Sequence, residues 1–179
     1  MDFEYVPFGN AYYAIKKCAH FQYPDTRFCW ANATYANEPG VFDGPLICQH
    51  GAGECSANLM EMCVIKYNPD WQKYTPFLQC YEAAIGGSHG VPGGAAESCA
   101  KQSGLDITSA LACTKNTAEA TALVQATARK TCELQPEHQF TPWAVLNGAV
   151  CGLDGTGCHG LLKHVCDLWQ GTPAPGCPK

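Results

Sequence analysis

Thirteen cysteines among 179 residues limit what this chain can fold into more than any other feature of its sequence. Such cysteine usage is typical of domains that fold in an oxidising compartment around a disulfide framework, and metal binding is its other common use. The pairing cannot be deduced from the sequence, and an odd count leaves at least one thiol free or bonded elsewhere. The tripeptide Asn32-Ala33-Thr34 predicts N-glycosylation of Asn32, which suits a chain of the secretory pathway.

Length and composition indicate an ordinary globular chain, and we predict a single domain over residues 1–179. The hydrophobic share is 46% and the formal net charge is -5. The sequence has no basic cluster that would bind nucleic acid and no run of about eighteen apolar residues. It therefore predicts neither a nucleic-acid partner nor membrane insertion. Residues 1–6 lack the features of a signal peptide, so we expect the natural N-terminus to lie upstream of Met1.

Residues 48–63, the signature segment, concentrate three cysteines, a histidine, a glutamate and an asparagine. Their pattern is Cys-Gln-His-Gly-x2-Glu-Cys-x2-Asn-x4-Cys. It resembles the signature of the gamma-interferon-inducible lysosomal thiol reductase family. Every fixed position is matched, by Cys48, Gln49, His50, Gly51, Glu54, Cys55, Asn58 and Cys63. Similarity to the family extends to Val6–Ala11, to residues 135–148 and to the C-terminal end, so it covers nearly the whole chain.

Hydrophobic periodicity and turn signals predict helices as well as strands. Residues 3–8 are predicted to form a strand, and residues 12–47 an irregular loop stapled by cysteines. An apolar run ending at Asn147-Gly148 predicts a hairpin. Helices are predicted over about 54–67, 71–85, 95–102, 107–114, 117–134 and 157–170. In the final helix we predict an inward face made of Leu161, Leu162, Val165, Leu168 and Trp169.

The family resemblance implies an α/β, thioredoxin-like fold with a cysteine-rich helical insertion at about residues 48–115. This chain would lack the first strand and the first helix of that fold. Thr141-Pro142-Trp143 would then be the loop with a cis-proline. In a thioredoxin fold this loop faces the catalytic dithiol, so Thr141 and Pro142 are predicted to bind an extended substrate peptide through backbone groups. The alternative is that Pro142 only shapes the turn.

By the same resemblance, the function is that of a thiol-disulfide oxidoreductase that reduces disulfides of protein substrates in a lysosomal or other secretory compartment. No cofactor is expected, because the chemistry uses a Cys-x-x-Cys pair at a helix N-terminus, where N–H groups favour the thiolate. Neighbouring cysteines here are at least seven positions apart, so the chain contains no Cys-x-x-Cys. We therefore expect an N-terminally incomplete sequence whose catalytic residues lie outside it. The non-enzymatic alternative is a redox-inactive, disulfide-stabilised binding domain of the secreted or luminal type.

The signature residues admit structural and chemical interpretations. Cys48, Cys55 and Cys63 are predicted to be structural disulfide partners and no metal is expected. A zinc site that includes His50 is the alternative, although the tight spacing of a zinc knuckle is absent. His50 and Glu54 suit polar capping of the following helix, and a proton-transfer pair is the alternative.

Two further residues could take part in the chemistry. Cys158 is a candidate substitute nucleophile at a predicted helix start, but a bond between Cys151 and Cys158 is the favoured interpretation. His138 lies four positions before Pro142 and could titrate near the substrate loop, whereas a surface histidine without function is favoured.

Overall fold

The structure, a computed structural model, describes residues 2–86, 93–152, 160–172 and 176–177. The chain divides into two compact units, Met1–Cys132 and Glu133–Lys179. Helices dominate the described residues, which also form two small two-stranded sheets. The predicted mixture of helix and strand in a disulfide-rich chain is thereby confirmed. None of the helices within these ranges is long and apolar enough to span a bilayer.

Within the ranges given above, the first unit contains six helices and one pair of short strands. A 3-10 turn lies at Lys16–Cys18. In chain order its elements are β1 (Tyr12–Tyr13), α1 (Asp25–Tyr35), β2 (Leu46–Ile47), α2 (Ala52–Tyr67), α3 (Trp71–Ile85), α4 (Ala95–Ser103), α5 (Thr108–Lys115) and α6 (Thr117–Cys132). The second unit contains β3 (Trp143–Leu146), β4 (Ala149–Gly152) and α7 (Leu161–Leu168).

Helices α2 to α6 confirm the helices predicted from periodicity, and their caps explain where they begin. Asp70 precedes α3 and its side chain accepts a hydrogen bond from the backbone N–H of Gln72, at 3.1 Å. Asp106 accepts one from the backbone N–H of Thr108, at 2.9 Å, just before α5. Both carboxylates satisfy donors that a helix cannot satisfy internally. At the other end of α3, Gly86 adopts the left-handed conformation that stops the helix.

The predicted strand over residues 3–8 is wrong. Residues 7–10 form a turn, in which the backbone N–H of Phe8 donates to the carbonyl of Val6. Pro7 offers no N–H for a ladder, so sheet pairing begins only after the turn. There β1 pairs antiparallel with β2, with Tyr12 opposite Ile47.

The prediction of an irregular stapled loop over residues 12–47 is half right. A disulfide joins Cys18 to Cys29, as the stapling requires. The segment is not irregular, because it contains the eleven-residue helix α1. This helix escaped detection because its buried face mixes polar and apolar side chains, so no apolar periodicity marks it. The buried residues are Thr26, Arg27, Trp30, Ala33 and Thr34.

Two hydrophobic clusters form the core of the first unit. One joins α2 to α3, α4 and α5 around Val64, Phe77 and Ala110. The other joins α1, β1 and α6 to α2 around Trp30 and Ala128. Since α2 contributes side chains to both clusters, it is the central element of this unit.

The second unit is built on the predicted hairpin, which the structure confirms. Strands β3 and β4 pair antiparallel, and Asn147 and Gly148 adopt positive φ values of 49° and 82° in the turn between them. Such a turn favours Asn-Gly because both central residues need left-handed backbone.

The predicted inward face of the final helix is wrong for the second unit. Within it, four of the five side chains are exposed, namely Leu161, Leu162, Leu168 and Trp169. Of the five predicted residues, Val165 alone is half-buried. Its neighbours His164 and Cys166 are half-buried as well. The Cys166–Cys177 disulfide joins α7 to the C-terminal end of the chain. The helix is also shorter than predicted, and Gly157 lies outside the described residues.

Candidate functional site

The signature segment forms a loop and the first three turns of α2. Gly51 ends the loop with φ at 92°, a conformation that side chains disfavour, while the space where a Cβ would stand is open. Cys48, which is buried before the loop, forms a disulfide with Cys55 in the first helical turn. The loop is therefore closed covalently on the helix that it precedes.

His50 and Glu54 are brought together as the sequence predicted, and their geometry is that of a cap. Glu54 Oε2 accepts a hydrogen bond from the backbone N–H of His50 at 2.6 Å. The same oxygen lies 3.2 Å from His50 Nδ1. Glu54 is the third residue of α2, the position from which an acidic side chain reaches back over a helix start. This contact supports the capping interpretation, and the imidazole remains about half exposed.

Gln49 connects the signature segment to the N-terminal turn. Its Oε1 accepts a hydrogen bond from Asn10 Nδ2 at 2.8 Å, across 39 positions of sequence. Asn10 is buried, and its Oδ1 accepts no hydrogen bond from the described residues. Two segments that resemble the same family are therefore in direct contact. Asn58, the last polar position of the pattern, is half-buried in the second turn of α2.

The zinc alternative for the signature segment is wrong. Cys63 forms a disulfide with Cys113 of α5, and Cys48 and Cys55 are bonded to each other. None of the three sulfurs is left as a thiolate, which is the form that zinc binds. Among the described residues no group of three potential ligands is arranged for a metal. The prediction that these cysteines are disulfide partners is confirmed.

The predicted substrate loop lies in the second unit and has the expected backbone. The Thr141–Pro142 peptide bond is cis, which confirms the geometry implied by the family resemblance. Both residues are exposed at the start of β3. His138 is buried, so its interpretation as a surface histidine is wrong, and its Nε2 lies 3.4 Å from Thr141 Oγ1. The structure leaves the binding role of Thr141 and Pro142 untested.

The remaining candidates are the cysteine pair Cys151 and Cys158 and the glycosylation site Asn32. Cys158 lies outside the described residues, whereas Cys151 is buried in β4 and is disulfide-bonded. Asn32 is exposed on α1, where a glycan could be attached without displacing the core.

A second polar cluster, which was not predicted from the sequence, includes Glu61, a residue of the signature segment outside the fixed positions of the pattern. Glu61 of α2 is 1% exposed, and the hydroxyl of Tyr5 lies within 3.4 Å of its carboxylate. Burial, then the charge of Glu82, raises the pKa of Glu61 well above its ordinary value. A signal was available, because Glu61 shares the helical stripe of Ala57 and Val64, both of which are buried.

The signature loop, the capped helix and the bonded cysteines define the class of the protein, a disulfide-stabilised, helix-rich domain. Comparison with known families makes this more specific. Residues 26–103 match the sequence model of the family described as gamma interferon inducible lysosomal thiol reductase. The resemblance predicted from the signature is thus confirmed, and the chain is related to this family.

Individual relatives agree with the family match. The chain is 31% identical over 124 residues to a gamma-interferon-responsive lysosomal thiol protein of Arabidopsis thaliana, covering 69% of this chain and 49% of that protein. It is 30% identical over 152 residues to a gamma-interferon-inducible lysosomal thiol reductase of Carassius auratus, covering 83% and 56%. A GILT-like protein of Caenorhabditis briggsae is 28% identical over 102 residues, covering 56% and 44%. The chain spans about half the length of the curated relatives it matches.

Proposed function

We propose that this chain is part of a thiol-disulfide oxidoreductase of the lysosomal thiol reductase type, acting on protein disulfides in a lysosomal or secretory compartment. The observation that supports this most is the signature segment, in which the residues of the family pattern form one closed and capped unit. Cys48 is bonded to Cys55, and Glu54 caps the loop at His50. The names of the relatives from Arabidopsis thaliana and Carassius auratus agree with this activity and compartment.

We further propose a thioredoxin-like arrangement in which Thr141 and Pro142 hold the substrate. The exposure of both residues and the strand β3 that follows them suit pairing with an extended peptide. In this mode the backbone supplies affinity and the side-chain pockets supply selectivity. Within the loop, Thr141 Oγ1 is 3.4 Å from the buried His138 ring, which helps to hold the loop in place.

Reduction by this route needs two thiols that the 179 residues do not contain as a Cys-x-x-Cys pair. The first thiolate attacks one substrate sulfur, forming a mixed disulfide and releasing the other sulfur as a thiol. The second cysteine then attacks the mixed disulfide, so the enzyme is oxidised as the substrate is reduced. On this proposal the present chain supplies scaffold and substrate loop, and by itself does not reduce disulfides.

A redox-inactive binding domain of the secreted or luminal type is the second candidate. Five disulfides join ten of the described cysteines, including all three in the signature segment, and this favours a structural use of the cysteines. In this case the fold and the exposed Thr141–Pro142 loop would serve binding without exchange chemistry.

The 5′ end of the transcript distinguishes the two candidates. An in-frame signal peptide and an apolar strand followed by Cys-x-x-Cys support the reductase. A stop codon without such a motif contradicts the reductase and supports the binding domain. If the motif is present, the whole natural protein should reduce a disulfide-bonded protein substrate, and Cys→Ser at either motif cysteine should abolish turnover.

The substrate loop is tested in that same protein by Pro142→Ala. We expect a higher KM for a protein substrate with a smaller effect on kcat, because the loop binds substrate and does not react. Pro39→Ala, at an exposed turn of the first unit, is the control and should leave KM unchanged. Glycosylation is tested separately, since an endoglycosidase should lower the mass of the native chain but not that of the Asn32→Gln variant.

A further inference from the structure

Tyr5 of the N-terminal segment hydrogen-bonds to two helices of the first unit through a single hydroxyl group. That hydroxyl lies 3.4 Å from Oε2 of Glu61 on α2 and 3.2 Å from Oε1 of Glu82 on α3. The partners are 56 and 77 positions away in sequence, so this contact is tertiary and not local. We name Tyr5, Glu61 and Glu82 the carboxyl clasp.

The clasp puts two acidic groups side by side without a cation. Glu61 is fully buried, and its Oε1 accepts no hydrogen bond from the described part of the chain. Neither glutamate forms an ion pair with any residue that the structure describes. An ionised Glu61 has lost its hydration here without gaining a counter-charge, which is strongly unfavourable, whereas Glu82 is exposed and keeps contact with water.

Other ionisable groups around the clasp do not supply the missing charge. Tyr74 and Tyr81 face it from α3 and are neutral, and burial raises the pKa of Tyr81 to about 12. Glu97 of α4 adds a further negative charge near Tyr81. Lys130 of α6 is the nearby cation, but it pairs with Glu4.

The unfavourable burial of an unpaired negative charge is avoided when Glu61 is protonated and therefore neutral. Burial, and next the charge and hydrogen bond of Glu82, raise the pKa of Glu61 well above its ordinary value, while the Tyr5 hydroxyl acts in the opposite direction. Protonated Glu61 can donate to Glu82, and Tyr5 then donates to the pair. When Glu61 ionises, two negative charges share one hydroxyl donor. Burial and the two carboxylates also raise the pKa of Tyr5, so its hydroxyl stays a donor.

We propose that the carboxyl clasp is an acid-closed device that holds the N-terminal segment against α2 and α3 and releases it as the pH rises. The N-terminal segment in question is residues 2–6, and its Tyr5 ring also packs against the core cluster around Val64 and Phe77. Phe3 contacts Trp71 edge-to-face with ring centroids 5.7 Å apart, Glu4 pairs with Lys130, and the Tyr5 backbone hydrogen-bonds to Tyr74. The segment contains no regular secondary structure, so it is held by side-chain contacts, of which the clasp is one. This inference does not depend on the proposed reductase activity.

Hydrogen exchange of the intact chain, measured by mass spectrometry at pH 5 and pH 8 and corrected for intrinsic exchange, tests the clasp. Protection of amides in residues 3–6 should fall on the order of tenfold between the two pH values, because ionisation of the buried Glu61 is unfavourable in the closed state. Glu61→Gln should abolish this fall, because an uncharged amide can bond to both neighbours at any pH. Glu38→Gln, at an exposed ion pair with Lys17, is the matched control and should behave as the wild type.

The clasp is contradicted by protection that is the same at both pH values in the wild type, or by a tenfold fall that persists in Glu61→Gln. Glu82→Gln provides an independent test if the Glu61 variant does not fold. It removes the second negative charge and should reduce the fall in protection. Carbon-13 NMR of the side-chain carboxyl of Glu61 gives a further readout, and titration at an ordinary glutamate value would overturn the proposal.

Discussion

Glu54 shows how one side chain of the signature segment can be structural and still belong to a functional pattern. Its carboxylate is positioned by α2 to satisfy the backbone N–H of His50, and the Cys48–Cys55 disulfide holds the same turn. A negative charge at this end of a helix also interacts favourably with the helix dipole. The loop of the signature segment is therefore held in place by contacts among its own residues.

We predict that Glu54→Ala destabilises the chain by about 1 kcal/mol, because it removes a cap acceptor. For a chain of this size that corresponds to a melting temperature about 2–4 °C lower. Glu54→Gln is the matched control, since an amide oxygen can accept the same hydrogen bond, and it should melt close to the wild type. Thermal unfolding followed by circular dichroism makes the comparison. Equal losses in both variants would show that the charge, and not the cap, matters.

The carboxyl clasp could be predicted only in part from the sequence. Helical spacing places Glu61 among buried residues of α2, so its burial could have been predicted. Its partners could not, because Tyr5 and Glu82 approach it from segments whose relative positions depend on packing. Contacts between distant segments are specified by the whole core, and periodicity describes one helix at a time.

At the scale of elements, packing of α3 against α2 depends on aromatic side chains. Phe77 is fully buried and stacks on Tyr81 with ring centroids 5.4 Å apart. We predict that Phe77→Ala destabilises the chain by about 3–5 kcal/mol, because it removes a large apolar group and leaves a cavity. Phe21→Ala, at an exposed site, should cost less than about 0.5 kcal/mol. Chemical denaturation of both variants measures the difference, and similar losses would contradict the assignment of Phe77 to the core.

Disulfides connect the elements over loops of different length, and this predicts a graded effect. The Cys63–Cys113 bond closes a separation of 50 residues, whereas Cys48–Cys55 closes only 7. In the chain-entropy description, removing the first pair costs about 4 kcal/mol and removing the second about 2 kcal/mol.

Paired Cys→Ala variants of each bond, compared by urea unfolding, check this order. A mass determination under non-reducing conditions confirms that the remaining bonds are intact. If loss of the short loop destabilises more than loss of the long one, then local strain or lost packing outweighs the entropy of the unfolded chain.

Most elements could be predicted from the sequence where their stabilisation is local. The Asp106 cap and the apolar spacing predict helix α5, and Asn147-Gly148 predicts the β3–β4 hairpin. Prediction failed for elements whose formation depends on contacts with distant segments. Helix α1 buries Arg27 together with Trp30 and so lacks an apolar stripe. Strand β1 exists only because a distant segment, β2, pairs with it.

For the molecule as a whole, opposite pKa changes predict an optimum of stability in mild acid. The pKa of Asp106 is lowered by its hydrogen bond from the Thr108 backbone, and that of Glu119 by its hydrogen bond from Lys66. Groups of this kind stabilise the fold above their ordinary values of 3.8 and 4.5, and this stabilisation is lost as the pH falls through the lowered values. Glu61 has the opposite sign. Its contribution is complete below the ordinary value of 4.5 and is lost as the pH rises towards its raised value in the folded chain.

Urea unfolding between pH 3 and pH 8 should therefore show stability that declines on both sides of the mildly acidic range. We predict that Glu61→Gln removes the decline on the alkaline side and raises the free energy of unfolding at pH 8 by about 1–3 kcal/mol, because it removes a buried charge that has no counter-charge. Glu38→Gln should keep the wild-type profile, because its partner Lys17 and its own side chain are exposed. An alkaline decline that is equally steep in wild type and Glu61→Gln would assign the effect to other groups. A fold that gains stability in acid through a buried carboxyl group is suited to an acidified compartment, which is where the proposed function places it.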